Sequence, residues 1–84
     1  MSYKAEWHPR ASKNLEKLPK ELIERVLKKI DAVKEDPFRF LEHFEGEKAY
    51  KLRVGGYRAL IDVDFDNKIL YIQVFDKRGR VYNR

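Results

Sequence analysis

An α+β domain is what this 84-residue sequence predicts: an N-terminal strand, an α-helical hairpin, then a three-stranded antiparallel meander. All strands are expected in one sheet, with the helices on one face. Three observations predict it. Leu22, Ile23, Val26, Leu27, Ile30 and Val33 recur at helical spacing, with Lys, Arg and Glu on the other face. Gly55-Gly56 stands between two strand-like runs and is a strong two-residue turn signal, because glycine accepts the positive φ of hairpin turns. At the start, Tyr3, Ala5 and Trp7 alternate with Lys4, Glu6 and His8, the pattern of a half-buried strand. The length fits a single domain over residues 1–84.

The elements follow in order. After the opening strand, Pro9 suits the first turn of a helix. Ala11, Leu15 and Leu18 give that helix a short apolar stripe, which ends near Pro19. The second helix carries Glu21 and Glu24 near its N-terminal end, where the helix dipole favours acids. Asp36-Pro37 should stop it. Almost nothing separates the two helices, so they should form an αα-hairpin. Lys28, Lys29 and Lys34 on its outer face read as solvated surface. "FRFLEHFEGEKA" then holds Phe38, Phe40, Leu41 and Phe44, and is expected to pack over the core edge as an ordered lid. Strands are predicted at about 49–54, 57–65 and 68–76, with Asp66-Asn67 as the second hairpin turn.

Those turns fix a register. In the first hairpin Val54 should face Tyr57, Arg53 Arg58, Leu52 Ala59, Lys51 Leu60 and Tyr50 Ile61. In the second, Val63 should face Leu70, Ile61 Ile72, and Ala59 Val74. One sheet face then collects Tyr50, Leu52, Val54, Ala59, Ile61, Val63, Leu70, Ile72 and Val74, which the helices need for their stripes. The opposite face receives Lys51, Arg53, Arg58, Leu60, Asp62, Tyr71, Gln73 and Phe75.

Composition narrows the function classes. With 43% hydrophobic residues and three prolines, the chain reads as globular. It has no cysteine, so neither disulfides nor thiolate metal sites are available. No apolar run approaches the roughly 20 residues of a membrane span, and "MSYKAEWHPR" has no signal-peptide hydrophobic stretch, so a cytoplasmic address is expected. Net charge is +5, unevenly distributed. Residues 1–47 hold ten basic and ten acidic side chains; residues 48–84 hold nine against four. Such asymmetry points to a polyanion-binding face.

Arg53 and Arg58, directly opposed, sharpen that reading, because like charges facing each other across two strands cost stability. An anion bridging the two guanidiniums would relieve the repulsion, and their forks match phosphate oxygens. Tyr71 and Phe75 on the same face would offer stacking surfaces for unpaired bases. The plainer alternative stays open: arginines splayed into water, and aromatics covered by the tail or a partner.

The tail "DKRGRVYNR", together with "YKLRVGGYR" and "LPKELIERV", resembles the RelE/ParE superfamily of toxins from type II toxin–antitoxin pairs. The likeness runs nearly end to end and also takes in the opening strand and the "DP" stop. It is most similar to the RelE branch, whose members cut mRNA, typically within a translating ribosome, without metal. The resemblance implies a RelE-like fold, a cognate antitoxin, mRNA and ribosomal RNA as partners, and no metal, small-molecule cofactor or membrane. Lys51 and Arg53 match basic positions on the strand before the Gly-Gly turn, and Arg58 matches the arginine that contacts the scissile phosphate. Arg78 matches the transition-state stabiliser or acid, and Tyr82, across a gap, the tyrosine that orients the substrate. Ala49 stands about where some relatives carry a further lysine.

Lys51, Arg58, Arg78 and Tyr82 are therefore the candidate catalytic residues; Arg53, Tyr71, Phe75, Lys77 and Arg80 are candidates for binding RNA. Metal-free cleavage needs a base, an acid and cations around the developing phosphorane. Lys51, crowded by like charges, is the candidate base. Arg58 and Arg78 are assigned to charge stabilisation, since arginine rarely gives up its proton; the acid is unassigned. His8, at the end of the first strand, and His43, in the lid, are expected off the basic face. Three alternatives stay open: a ParE-like inhibitor of DNA gyrase with the same fold, a non-catalytic RNA-binding module, and an inactive toxin.

Overall fold

The computed structural model describes residues 2–43 and 49–77. The N-terminal alternation forms strand β1 (Lys4–Trp7), and Pro9 opens helix α1 (Pro9–Glu16). His8 caps α1, its Nδ1 accepting from the Arg10 N–H at 3.1 Å. Pro19 leads into α2 (Lys20–Glu35), which buries Val26, Ile30 and Val33 and stops before Pro37, as the restricted backbone before a proline requires. The Tyr3 N–H donates to the Lys34 carbonyl at 2.9 Å, tying the head of β1 to the end of α2.

The expected lid has more structure than a connection. Pro37 starts a single helical turn, α3 (Pro37–Phe40), and a two-residue strand follows, β2 (Glu42–His43). Phe40 and Leu41 pack partly on the core. Phe38 does not: it is 67% exposed and stacks on Phe65 at 5.5 Å. Residues of one helical turn point in different directions, so not all of them reach the core. Phe44 lies outside the described residues.

The meander comprises β3 (Tyr50–Val54), β4 (Tyr57–Asp64) and β5 (Ile69–Lys77). The sheet order is β1-β5-β4-β3-β2, antiparallel throughout except that β1 runs parallel to β5. The helices carry the chain from β1 at one edge of the sheet to β2 at the other, and the meander then brings β5 back beside β1. The first hairpin has the predicted register from Val54↔Tyr57 through Arg53↔Arg58 to Tyr50↔Ile61. Gly55 makes its turn possible with φ +59°, a conformation costly for any side chain with a Cβ.

The second hairpin departs from prediction twice. Its turn is a four-residue loop, 65–68, rather than Asp66-Asn67 alone. The Asp64 carboxylate organises it, accepting from the Asp66 N–H at 3.1 Å, the Asn67 N–H at 3.0 Å and the Asn67 side-chain amide at 2.9 Å. The pairs Val63↔Leu70 and Ile61↔Ile72 stand as expected, but a bulge then shifts the register. Gln73 is the extra residue on β5, so Leu60 faces Val74, Ala59 faces Phe75 and Arg58 faces Asp76. Phe75, expected on the open face, is thereby turned onto the helix side. It is 1% exposed there, between Trp7 at 5.9 Å and Tyr57 at 5.5 Å. With Leu52, Ile61, Leu70, Ile72 and Val33 it forms the centre of the core.

Candidate functional site

The sheet face away from the helices carries Lys51 and Arg53 from β3 and Arg58 from β4, as the alternation predicts. The two arginines are direct cross-strand partners with different surroundings: Arg53 is exposed, Arg58 only 6% so. The bulge places Asp76 opposite Arg58 on its other side, so the row reads Arg53, Arg58, Asp76 across three strands. One carboxylate therefore stands in line with the opposed guanidiniums and offsets part of their repulsion.

Where β2 stops pairing, after Lys51, the edge of β3 opens onto a small cavity of about 80 Å³. Lys51, Arg53, Arg58 and Leu52 line it from the sheet, Lys29 from α2, Phe40 from α3 and Glu42 from β2. Four cations and one carboxylate thus share a space far below the roughly 300–1,000 Å³ that encloses a whole small molecule. It suits a compact anionic group. The Glu42 carboxylate lies 3.7 Å from the Lys51 ammonium, so Lys51 is not surrounded by cations alone, as expected; β2 brings an acid alongside. Lys29 stands 4.7 Å from the centre of the Phe40 ring, and the Arg39 guanidinium 5.6 Å from the same ring.

Other predicted site residues lie elsewhere. Tyr71 is half-buried on β5 between Asp62 of β4 and Glu6 of β1, an acidic row away from the arginines. Phe75, buried in the core, presents no surface to a base. Lys77 is exposed opposite Tyr57, in a row that continues the helix-side face, and lines a depression with Lys17, Leu18 and Pro19 rather than the basic cavity. The bulge accounts for both displacements. Arg78, Arg80 and Tyr82 lie outside the described residues. His8 caps α1, and His43 is exposed with its ring edge-on to Tyr50 at 5.1 Å, so neither lines the basic cavity.

Lys29, Phe40, Glu42 and Asp76 were not predicted at the site. Lys29 looked like one more lysine on a solvated helix face, and Phe40 and Glu42 like parts of a lid; only tertiary packing brings them to the arginines. A larger depression, about 510 Å³, lies along β5 beyond the end of β1, lined by His8, Arg10, Asn14, Gln73 and Asp76 among others. Its backbone acceptor, the Phe75 carbonyl, already takes a hydrogen bond from the Asn14 amide at 2.9 Å, and it offers one arginine against one acid. The smaller cavity has the concentrated charge. Among the described residues, no helix is long and apolar enough to cross a membrane.

Comparison with known proteins is consistent across sequence and fold. The model of a family described as the ParE toxin of the type II toxin–antitoxin system parDE matches residues 5–82. The archaeal RelE–RelB complex from Pyrococcus horikoshii is similar at 30% identity, over 95% of this chain and 99% of that one, with a TM-score of 0.81. The isolated E. coli RelE toxin is 26% identical over 98% and 93% of the two chains, with a TM-score of 0.77. A RelBE toxin–antitoxin complex from Mycobacterium tuberculosis shares the fold at 23% identity over 93% and 100%, with a TM-score of 0.81. No curated protein sequence matches the chain.

Proposed function

Since the chain belongs to the RelE/ParE superfamily of toxins from type II toxin–antitoxin systems, we propose that it is an endoribonuclease that cleaves mRNA on the translating ribosome. It works without a metal, acts in the cytoplasm and is held in check by a cognate antitoxin. The observation that carries this reading is the convergence of Lys51, Arg53 and Arg58 on one small cavity at the edge of the sheet.

The chemistry follows from the residues. The 2′-hydroxyl of one nucleotide attacks the adjacent phosphorus, the bond from phosphorus to the 5′-oxygen breaks, and the departing 5′-oxygen takes a proton from water, leaving a 2′,3′-cyclic phosphate and a 5′-hydroxyl. Lys51 passes its own ammonium proton to water and then takes the proton of the attacking hydroxyl. Arg53 and Arg58 hold the non-bridging oxygens as negative charge builds on the phosphorane, where fixed donors lower the barrier most. Arg78 adds charge to the same oxygens, Tyr82 orients the nucleotide, and Arg80 contacts the strand beyond it. Such a set lacks a strong acid, so much of the rate must come from alignment by the ribosome; orientation is worth roughly 7–11 kcal/mol.

The match of the ParE family model to residues 5–82 favours a second reading, a ParE-like inhibitor of DNA gyrase. Controlled expression followed by mapping of mRNA ends separates the two. The ribonuclease yields in-frame cuts within translated codons, lost in Arg58→Ala and Arg53→Ala. Intact message together with inhibited supercoiling would establish the gyrase reading instead.

A further inference from the structure

Lys29 is the cation of the basic cavity that neither the sheet pattern nor the catalytic chemistry accounts for. On α2 its neighbours one turn away are Arg25, Val26, Ala32 and Val33, so the helix gives it no acid to pair with. Lys28, one residue earlier, has Glu24 and Asp31 at those spacings and is exposed, whereas Lys29 is half-buried. Lys34 and Lys51 each have a carboxylate, at 3.1 Å and 3.7 Å. Among the described residues no carboxylate lies within ion-pair distance of Lys29. Its ammonium is held over the Phe40 ring at 4.7 Å, which fixes it electrostatically while leaving its hydrogen-bond donors unspent.

Charge counting gives this position a task. Among the described residues, Lys29, Lys51, Arg53 and Arg58 line the cavity with Glu42, and Asp76 stands opposite Arg58, which leaves an excess of two positive charges. The scissile phosphodiester carries one negative charge and cannot neutralise that excess by itself. A strand of RNA brings a second phosphate one nucleotide away. We infer that Lys29, seated on Phe40, is a further RNA-binding residue that takes the phosphate next to the scissile one. The strand then passes from the arginine row over the free edge of β3 towards α2. This inference rests on the ribonuclease reading of the cavity and extends it from one phosphate to two.

The test measures binding of a labelled single-stranded RNA whose 2′-hydroxyls are methylated, so that it binds and is not cut. Affinity is followed across a salt series. Lys29→Gln is expected to weaken binding and to reduce the slope of log affinity against log salt by about 0.7, the loss of one phosphate contact to a single strand. Lys29→Arg keeps the charge and should restore the slope; Lys28→Gln should leave it unchanged. Equal melting temperatures of the variants show that the fold is intact. If Lys29→Gln binds with the wild-type slope while Arg53→Gln loses slope, the second phosphate site is wrong and the ribonuclease reading survives. If Lys28→Gln and Lys29→Gln lose slope equally, the effect is diffuse charge and the site is likewise overturned. If the wild-type protein does not bind the strand at all, the second phosphate site is overturned, while in-frame cuts in the mapped mRNA ends decide the ribonuclease reading separately.

Discussion

Two arginines of opposite exposure make the residue-scale claim testable. Arg58 is buried beside Arg53 on one strand and opposite Asp76 on another, whereas Arg53 reaches solvent. Arg58→Ala should therefore fail twice. Cleavage should fall by on the order of 10²–10³, the usual loss of one fixed stabiliser of developing charge. Stability should fall by up to about 3 kcal/mol, because the truncation removes a side chain that is only 6% exposed. Arg53→Ala should lose a comparable factor in rate with stability within about 0.5 kcal/mol of wild type. Single-turnover cleavage and urea unfolding of the two variants check both halves, and equal stability losses would contradict the burial difference. Phe75 gives the complementary case. Enclosed by Trp7 and Tyr57, it should cost about 3–5 kcal/mol on replacement by alanine, while the RNA affinity of the folded fraction stays put. A base-stacking residue would show the reverse, a loss of affinity with little loss of stability.

At the scale of elements, the first hairpin was legible because its turn and its alternation agree. Gly55-Gly56 sets the register, Tyr50 to Val54 alternate strictly, and the turn assigns Leu60 its face between the apolar Ala59 and Ile61. The second hairpin defeats that logic at Val74-Phe75, two apolar residues in succession. Alternation cannot say which of them faces the core, and one extra residue at Gln73 decides for Phe75. The rings of Trp7 and Tyr57 that receive Phe75 come from distant parts of the chain. The loop of this hairpin also carries a pH dependence. The Asn67 side-chain amide, and after it the backbone N–H groups of Asn67 and Asp66, hold the Asp64 carboxyl below its ordinary range. A carboxylate depressed in the folded state contributes its full stability above the unfolded-state range and loses it as pH falls through the lower folded value. Asn67→Ala removes the largest cause. The advantage of wild type over this variant in urea should thus be greatest near neutral pH and shrink in acid. A difference that stays constant from neutral pH into the acid range would show that the carboxylate does not hold the loop in this way.

Over the whole molecule, the sequence placed the excess charge in residues 48–84, and the fold gathers part of it at one end of the sheet, where β3 loses its partner. Lys51, Arg53 and Arg58 were readable because strand periodicity alone assigns them a face. Lys29, Phe40 and Glu42 were not, because they meet the arginines through the docking of α2, α3 and β2, which no local pattern encodes. That concentration of charge separates the function classes by a bulk measurement. Three cation contacts to a single strand predict that raising salt from about 50 to about 200 mM weakens RNA binding roughly twenty-fold, and a fourth contact at Lys29 raises the loss to roughly fifty-fold. Apolar surface burial responds little to salt in this range, because screening acts on charges rather than on the water released from carbon. A toxin that acts by docking on a protein through apolar contacts should therefore keep most of its affinity over the same interval. Titrating the protein with the uncleavable strand at both salt concentrations, and with gyrase in parallel, assigns the basic cavity to whichever partner shows the steep loss.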